Sequence, residues 1–148
     1  LFNRTNELNT TGNRYELEKL KKQYDNKEIE VFVSELTDKF GDYGLIAECI
    51  LDTRTKDWEI MDLTVSCRTM GRGIGSALLI AMMHEAKKRN AKSIRGILRE
   101  IESNWRMKPL YLKRGFKVIK KEGNETTYGY EFTEKLPKFH PWLKIERK

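Results

Sequence analysis

Leu63-Thr64-Val65-Ser66, a short basic turn, and then Gly71-Arg72-Gly73-Ile74-Gly75-Ser76 form the stretch on which the reading of this chain turns. Residues 58–66 read as a β-strand. Beyond the glycines the period changes: Ile74, Leu78, Met82 and Ala86 recur every four residues over 73–90, as on one face of a helix. Lys87-Lys88-Arg89 fall in the last turn of that helix, where cations complement its dipole. A strand that passes through three glycines into a helix leaves main-chain N–H groups uncovered at the positive end of the dipole, which is an anion site. Arg68 and Arg72 stand where they can add charge-assisted contacts to a phosphate. A P-loop requires Gly-Lys-Ser/Thr at the end of the loop, which is absent. A dinucleotide fingerprint counted from Gly71 requires Gly or Ala where Ser76 stands. The alternative reading is a tight strand-to-helix turn without a ligand.

On the N-terminal side, residues 1–14 read as an extended or looping segment rich in Asn, Thr and Arg. Tyr15, Leu17, Leu20 and Tyr24 have helical spacing and predict an amphipathic helix over 15–24. Residues 29–33 predict a strand, 38–44 a hairpin connection, 45–51 the return strand and 53–57 a turn. On the C-terminal side, 93–101 predict a strand and 104–114 a short helix interrupted by Pro109 and stopped by Gly115. Residues 116–121 and 127–132 form a last hairpin about Gly123-Asn124, and the apolar tail 139–143 packs back on the domain. Strand, helix and strand in the middle imply a right-handed crossover with parallel pairing. Meanders on either side imply antiparallel pairing, so a mixed α/β sheet of about six or seven strands flanked by helices is expected.

The chain has 148 residues, enough for one domain with one core, and no repeat or linker divides it. Its hydrophobic content of 39% and charged content of 34% describe a folded globular protein. The longest apolar run, 77–83, falls short of the roughly 20 residues that cross a bilayer. No secretory signal is visible, and two distant cysteines, Cys49 and Cys67, suit a reducing, cytoplasmic setting. His84 and His140 have no ligand-spaced neighbours, so no metal is expected. A net charge of +7 fits an anionic cofactor, an acidic protein partner or nucleic acid. No basic stripe interleaved with aromatics supports the last, and binding to nucleic acid is not expected. A chain that begins at Leu1 reads as a piece of a longer protein.

Asn104, then Tyr111 seven residues on, then Gly115-Phe116, complete a second motif at a set distance from the glycine loop. Together the two resemble the GNAT (N-acetyltransferase-like) superfamily over residues 58–118. The resemblance implies an acyltransferase fold with acetyl-CoA or another acyl-CoA as co-substrate. It assigns Leu63, Thr64, Val65, Arg68, Met70, Gly71, Arg72, Gly73, Ile74, Gly75, Ser76, Asn104 and Tyr111 to coenzyme binding. Met70 departs from the pattern, which has Arg or Gln there, and leaves room for a degenerate, non-catalytic member. Ser66-Cys67-Arg68, Asn3-Arg4-Thr5-Asn6 with Asn9 and Thr11, Arg14-Tyr15 and the run 40–44 further resemble the C-terminal domain of FkbH-like proteins. That likeness implies an upstream HAD-type phosphatase-like domain and an acyl carrier protein as partner.

In such an enzyme the acceptor, an amine, hydroxyl or carrier thiol, attacks the thioester directly. Backbone N–H groups of residues 63–66 would face the carbonyl, and Tyr111 is the candidate acid for the departing thiolate. A tyrosine near 10 donating to a thiolate near 8.5 is uphill by about 2 kcal/mol, so a packed ring is the competing role for Tyr111. Glu59, Asp62 and Glu100 are the candidate bases, each with a solvated carboxylate as its alternative. Cys67 beside Arg68 is a nucleophile candidate and Trp105 a candidate wall of the acyl pocket. The competing function is a non-catalytic module that docks acyl carrier protein beside the upstream domain.

Overall fold

The computed structural model describes residues 8–13, 15–69, 71–133, 135–139 and 144, so Met70, Arg14, His140 and Trp142 lie outside the described residues. Helix α1 spans Leu17–Asp25 and is followed by strands β1 (Glu30–Asp38), β2 (Gly41–Asp52) and β3 (Asp57–Val65). Helix α2 (Ile74–Lys88) leads to β4 (Ser93–Arg99), and β5 (Lys117–Glu122) and β6 (Glu125–Glu131) close the chain's sheet. The six strands lie in the order β1-β2-β3-β4-β6-β5. Among the described residues only β3 and β4, joined across α2, run parallel, and every other neighbouring pair is antiparallel. This is the expected mixed sheet.

Helix α2 lies across β2, β3 and β4. Its first and middle turns bury Ile74, Leu78, Leu79, Met82 and Met83 against Cys49, Leu51, Ile60, Leu63, Ile94 and Leu98. The opposite face of the sheet carries a smaller cluster in which Tyr15 and Leu20 pack on Ile29 and Ile50. The stripe predicted for α1 is only half used. The helix starts after Tyr15, which turns inward instead, while Leu17 and Tyr24 stay 73% and 55% exposed. The connection predicted at 38–44 is shorter than expected, because β1 runs to Asp38 and β2 begins at Gly41, with register shifts that absorb the mismatch. Pro109, which cannot donate in a helical ladder, breaks the segment predicted as a short helix into two 3-10 turns, Glu102–Met107 and Leu112–Arg114.

The feature that shapes the site is a parting of strands. β3 and β4 pair from Asp57↔Ser93 to Ile60↔Gly96 and no further, although β3 continues to Val65 and β4 to Arg99. Buried main-chain groups must be paired, and the diverging ends are paired by residues 8–11, which enter the gap and bridge Asn9 to Thr64.

Candidate active site

The glycine loop is built as the sequence suggests, with a different task for each glycine. Gly71 and Gly73 have φ of 81° and 71°, left-handed values that cost a side-chain-bearing residue about 1–2 kcal/mol. A Cβ built at either meets nothing within 4 Å, so this backbone borders open space. Gly75 instead allows close packing, since its Cβ would stand 3.1 Å from Val65 Cγ2 and 3.9 Å from Leu63 Cδ2. Gly73 is the N-cap of α2 and offers no side chain to the first turn. The amides of Ile74, Gly75 and Ser76 are therefore the orphan donors of that turn. Ile74 buries its side chain in the core. The two arginines are already engaged. Arg72 reaches away to Asp38 Oδ2 at 3.1 Å, donates to Tyr43 Oη at 3.4 Å and lies over the Tyr43 ring. Arg68 donates to Ser66 Oγ at 3.2 Å and to the Leu45 carbonyl at 3.3 Å.

Beside the loop lies the seam between β3 and β4. Thr10 N–H donates to the Leu63 carbonyl at 3.0 Å, Val65 N–H to the Leu8 carbonyl at 2.8 Å, and Arg99 N–H to the Thr10 carbonyl at 2.8 Å. Leu63 N–H is shared between Thr10 Oγ1 and Asp62 Oδ1, each at 3.0 Å. Asn9 Oδ1 accepts from the amides of Thr11 and Gly12 and holds the segment's turn. Asn104 bolts it from the far side: its Nδ2 donates to the carbonyls of Asn9 at 2.9 Å and Arg99 at 2.8 Å, and its Oδ1 accepts from Ile101 N–H.

The profile of the acetyltransferase (GNAT) domain matches residues 5–133. The chain belongs to the GNAT acetyltransferase family. The GNAT domain is similar in fold to the PaiA N-acetyltransferase of Thermoplasma acidophilum in complex with coenzyme A, at 21% identity and a TM-score of 0.61, covering 78% of this chain and 68% of that one. A Bacillus subtilis acetyltransferase in complex with CoA matches at 18% identity and a TM-score of 0.58, over 85% and 99% of the two chains. A GNAT family acetyltransferase from Elizabethkingia anophelis with acetyl-CoA bound matches at 18% identity and a TM-score of 0.60, over 77% and 82%. No curated protein sequence matches significantly.

Within this GNAT domain Tyr111, Glu59 and Glu100 take the alternative roles named for them, and Asp62 is neither an accessible base nor a solvated carboxylate. Asp62 is fully buried, while Glu59 on the same strand is exposed. The Asp62 carboxylate accepts from Thr10 Oγ1 at 2.9 Å, Thr11 Oγ1 at 2.7 Å and Tyr15 Oη at 2.7 Å, besides Leu63 N–H. Burial pushes its pKa up, and those hydrogen bonds pull against the shift. As folded it anchors the 8–11 segment and faces no acceptor. Tyr111 is also fully buried, packed on Phe116 and Tyr128 with ring centroids 5.2 and 5.3 Å away. Its hydroxyl lies near Thr10, whose Oγ1–H is committed to Asp62, and finds no hydrogen-bond partner of its own. Desolvation, and then Cys49 and Asp62, raise its pKa well above the ordinary tyrosine value, the wrong direction for an acid. Glu100 pairs with Lys108 Nζ at 3.0 Å on the surface. Trp105 is 63% exposed under Arg106, and Cys67 is exposed at the start of a 3-10 turn.

Of the strand amides at 63–66 expected to face a thioester carbonyl, those of Leu63 and Val65 are thus capped by the protein's own N-terminal segment, and that of Ser66 donates to the Ile46 carbonyl. The sequence reads that segment as extended or looping, assigns no role to Leu8 or Thr10, and places Tyr15 on the apolar stripe of a helix rather than on Asp62. Short polar side chains such as Asn9-Thr10-Thr11 have the same composition in a solvated loop and in a buried bridge. Only the odd run of small hydrogen-bonding residues ahead of an aromatic was available as a signal.

Proposed function

We propose that the domain transfers an acyl group from an acyl-CoA, or an acyl carrier thioester, to an amine, hydroxyl or carrier thiol. The observation that carries this reading is the open glycine cradle at the head of α2, where Gly71 and Gly73 adopt left-handed φ and no atom fills the space a Cβ would take. The amides of Gly71, Gly73, Ile74, Gly75 and Ser76 would hold the coenzyme's pyrophosphate, and Arg68 could join them only by giving up its contacts to Ser66 and the Leu45 carbonyl. The activated thioester supplies the electrophile; the protein's share is to bind, orient and exclude water. Solved relatives described with CoA or acetyl-CoA support the choice of anion.

A finer reading makes this the C-terminal domain of an FkbH-like protein with a carrier thiol as acceptor and a HAD-type domain upstream. It is supported by where the resembling residues fall. Asn9 and Thr11 line the seam, Ser66 and Arg68 flank the loop, and the β1–β2 turn is tied to the loop through Asp38 and Arg72. The competing reading, a non-catalytic module that docks acyl carrier protein, is favoured by the sealing of Tyr111 and Asp62. Transfer of the acetyl group from acetyl-CoA onto the acyl carrier protein, with coenzyme A released, above the uncatalysed rate separates the two.

The coenzyme reading is tested by calorimetric titration with acetyl-CoA. Binding is expected for the natural chain, and Gly73→Asp is expected to weaken it about tenfold or more, because a unit charge a few Å from a phosphate near a protein surface is worth several kcal/mol. Aspartate tolerates the left-handed region better than most residues, so the circular dichroism of the variant should match that of the parent. No heat up to millimolar acetyl-CoA sinks the reading.

A further inference from the structure

We propose that residues 8–11 are a built-in competitor for the coenzyme's arm: the domain keeps its own acyl-arm channel closed, and acyl-CoA enters fully only by undocking this segment. The inference rests on the coenzyme reading above and concerns the regulation of the same site.

The chemistry of the seam defines what it accepts. Its walls are main-chain edges: Leu63 and Val65 on β3 and Arg99 on β4, each hydrogen-bonded to an extended segment threaded between them. The arm of coenzyme A is itself a slender chain with two secondary amides, and an extended amide chain added to an exposed strand edge is a standard mode of recognition. The seam also begins where the phosphates would end. Gly75, in the first turn of α2, lies against Val65 and Leu63, and Leu110 Cδ1 stands 3.7 Å from where its Cβ would be. A diphosphate on the loop amides therefore leaves its arm at the mouth of the groove that residues 8–11 fill.

The present occupant fits imperfectly. Among the described residues, four buried side-chain polar atoms have no hydrogen-bond partner, and three of them, Asn9 Nδ2, Thr64 Oγ1 and Tyr111 Oη, sit in or beside this seam. Nothing covalent or disulfide-bonded fixes the segment there. Its hold is the carboxylate of Asp62, which gathers Thr10 and Thr11, the amide of Asn104 on the Asn9 carbonyl, and the three main-chain hydrogen bonds to Leu63, Val65 and Arg99, each of which the arm's amides could replace. Removing the segment would uncover the Tyr111 hydroxyl, Thr64 and the amides of Leu63 and Val65 together. Those are the groups a thioester would need at the end of the arm.

The test compares two probes on the natural chain: coenzyme A, and 3′-phosphoadenosine 5′-diphosphate, which has the phosphates and no arm. Amide hydrogen exchange is followed at Thr10, Thr11 and Gly12, with saturation of each probe set by calorimetry. Coenzyme A is expected to quicken exchange at these three amides by about tenfold or more, while the nucleotide leaves them unchanged. A double variant, Asn9→Ala with Thr11→Ala, is expected to bind coenzyme A more tightly than the parent with its nucleotide affinity unaltered. Saturating coenzyme A with residues 10–12 still protected overturns the proposal while leaving the coenzyme reading intact. Failure of both probes to bind removes the coenzyme reading itself and the proposal with it.

Discussion

Asp62→Ala is expected to cost about 3–5 kcal/mol of stability and to release residues 8–15 before the rest of the domain unfolds. The buried carboxylate is the shared acceptor for Thr10, Thr11 and Tyr15, whose hydroxyls lose this acceptor together. A buried donor left without an acceptor costs about 1–3 kcal/mol, and Tyr15, half-buried, recovers part of its loss from solvent. Leu63 N–H keeps Thr10 Oγ1 and loses less. Urea midpoints and limited proteolysis report the two parts of the effect. A loss under about 1 kcal/mol with the segment still resistant to cleavage contradicts the anchoring role assigned to Asp62.

The same carboxyl predicts a pH dependence. Its pKa is raised in the folded state, chiefly by burial, above the unfolded value of about 3.9. The folded state therefore binds its proton more tightly than the unfolded chain does. The stabilisation this confers is fully present below about pH 4 and is lost as pH rises through the folded value. Asp62→Asn has no such titration. The stability of the parent minus that of the variant is thus expected to fall from acid toward neutral pH and then level off.

The legible parts of this molecule were those that depend on local pattern. The change from strand period to a four-residue repeat at Ile74 located the β3–α2 junction, and the three closely spaced glycines marked the loop, because positive φ and close approach admit little else. Order and type of the strands and of the two α-helices followed from such signals, the helix expected over 104–114 gave way to two 3-10 turns, and boundaries slipped where a tertiary contact took over, as with Tyr15, which leaves its helix for Asp62. The seam was illegible for a different reason. Alternation along β3 puts Glu59 and Asp62 on opposite faces but cannot say which face is dry, and nothing local distinguishes a carboxylate gathering buried hydroxyls from one in water. Asn104 and Tyr111 were singled out by family likeness, which conveys a role and no burial. Whether a tyrosine hydroxyl meets a channel or a plug depends on residues some hundred positions upstream.

The second large effect lies at Gly96, the last residue of the parallel ladder. It pairs with Ile60 on one side and Tyr128 on the other. A Cβ built there falls 2.3 Å from Cε1 and Cζ of Tyr111 and 2.5 Å from its Oη. Such an overlap is relieved only if the ring moves, and the ring is clamped by Phe116 and Tyr128 with no exposed surface. Gly96→Ala is therefore expected to cost about 2–3 kcal/mol, toward the upper end for overpacking a core by one methyl. Tyr111→Phe brings no relief, because two of the three clashing atoms belong to the ring that both residues share. Tyr111→Leu vacates that space. By itself it leaves a cavity that costs about 2–4 kcal/mol, yet beside Gly96→Ala the two defects fill one another, so the double variant should be more stable than the sum of the singles by about 1–2 kcal/mol. Urea denaturation of the four proteins gives this coupling directly. Additive losses would mean that the ring has freedom to leave Gly96, and with it that Tyr111 is less firmly sealed beneath residues 8–11 than the packing implies.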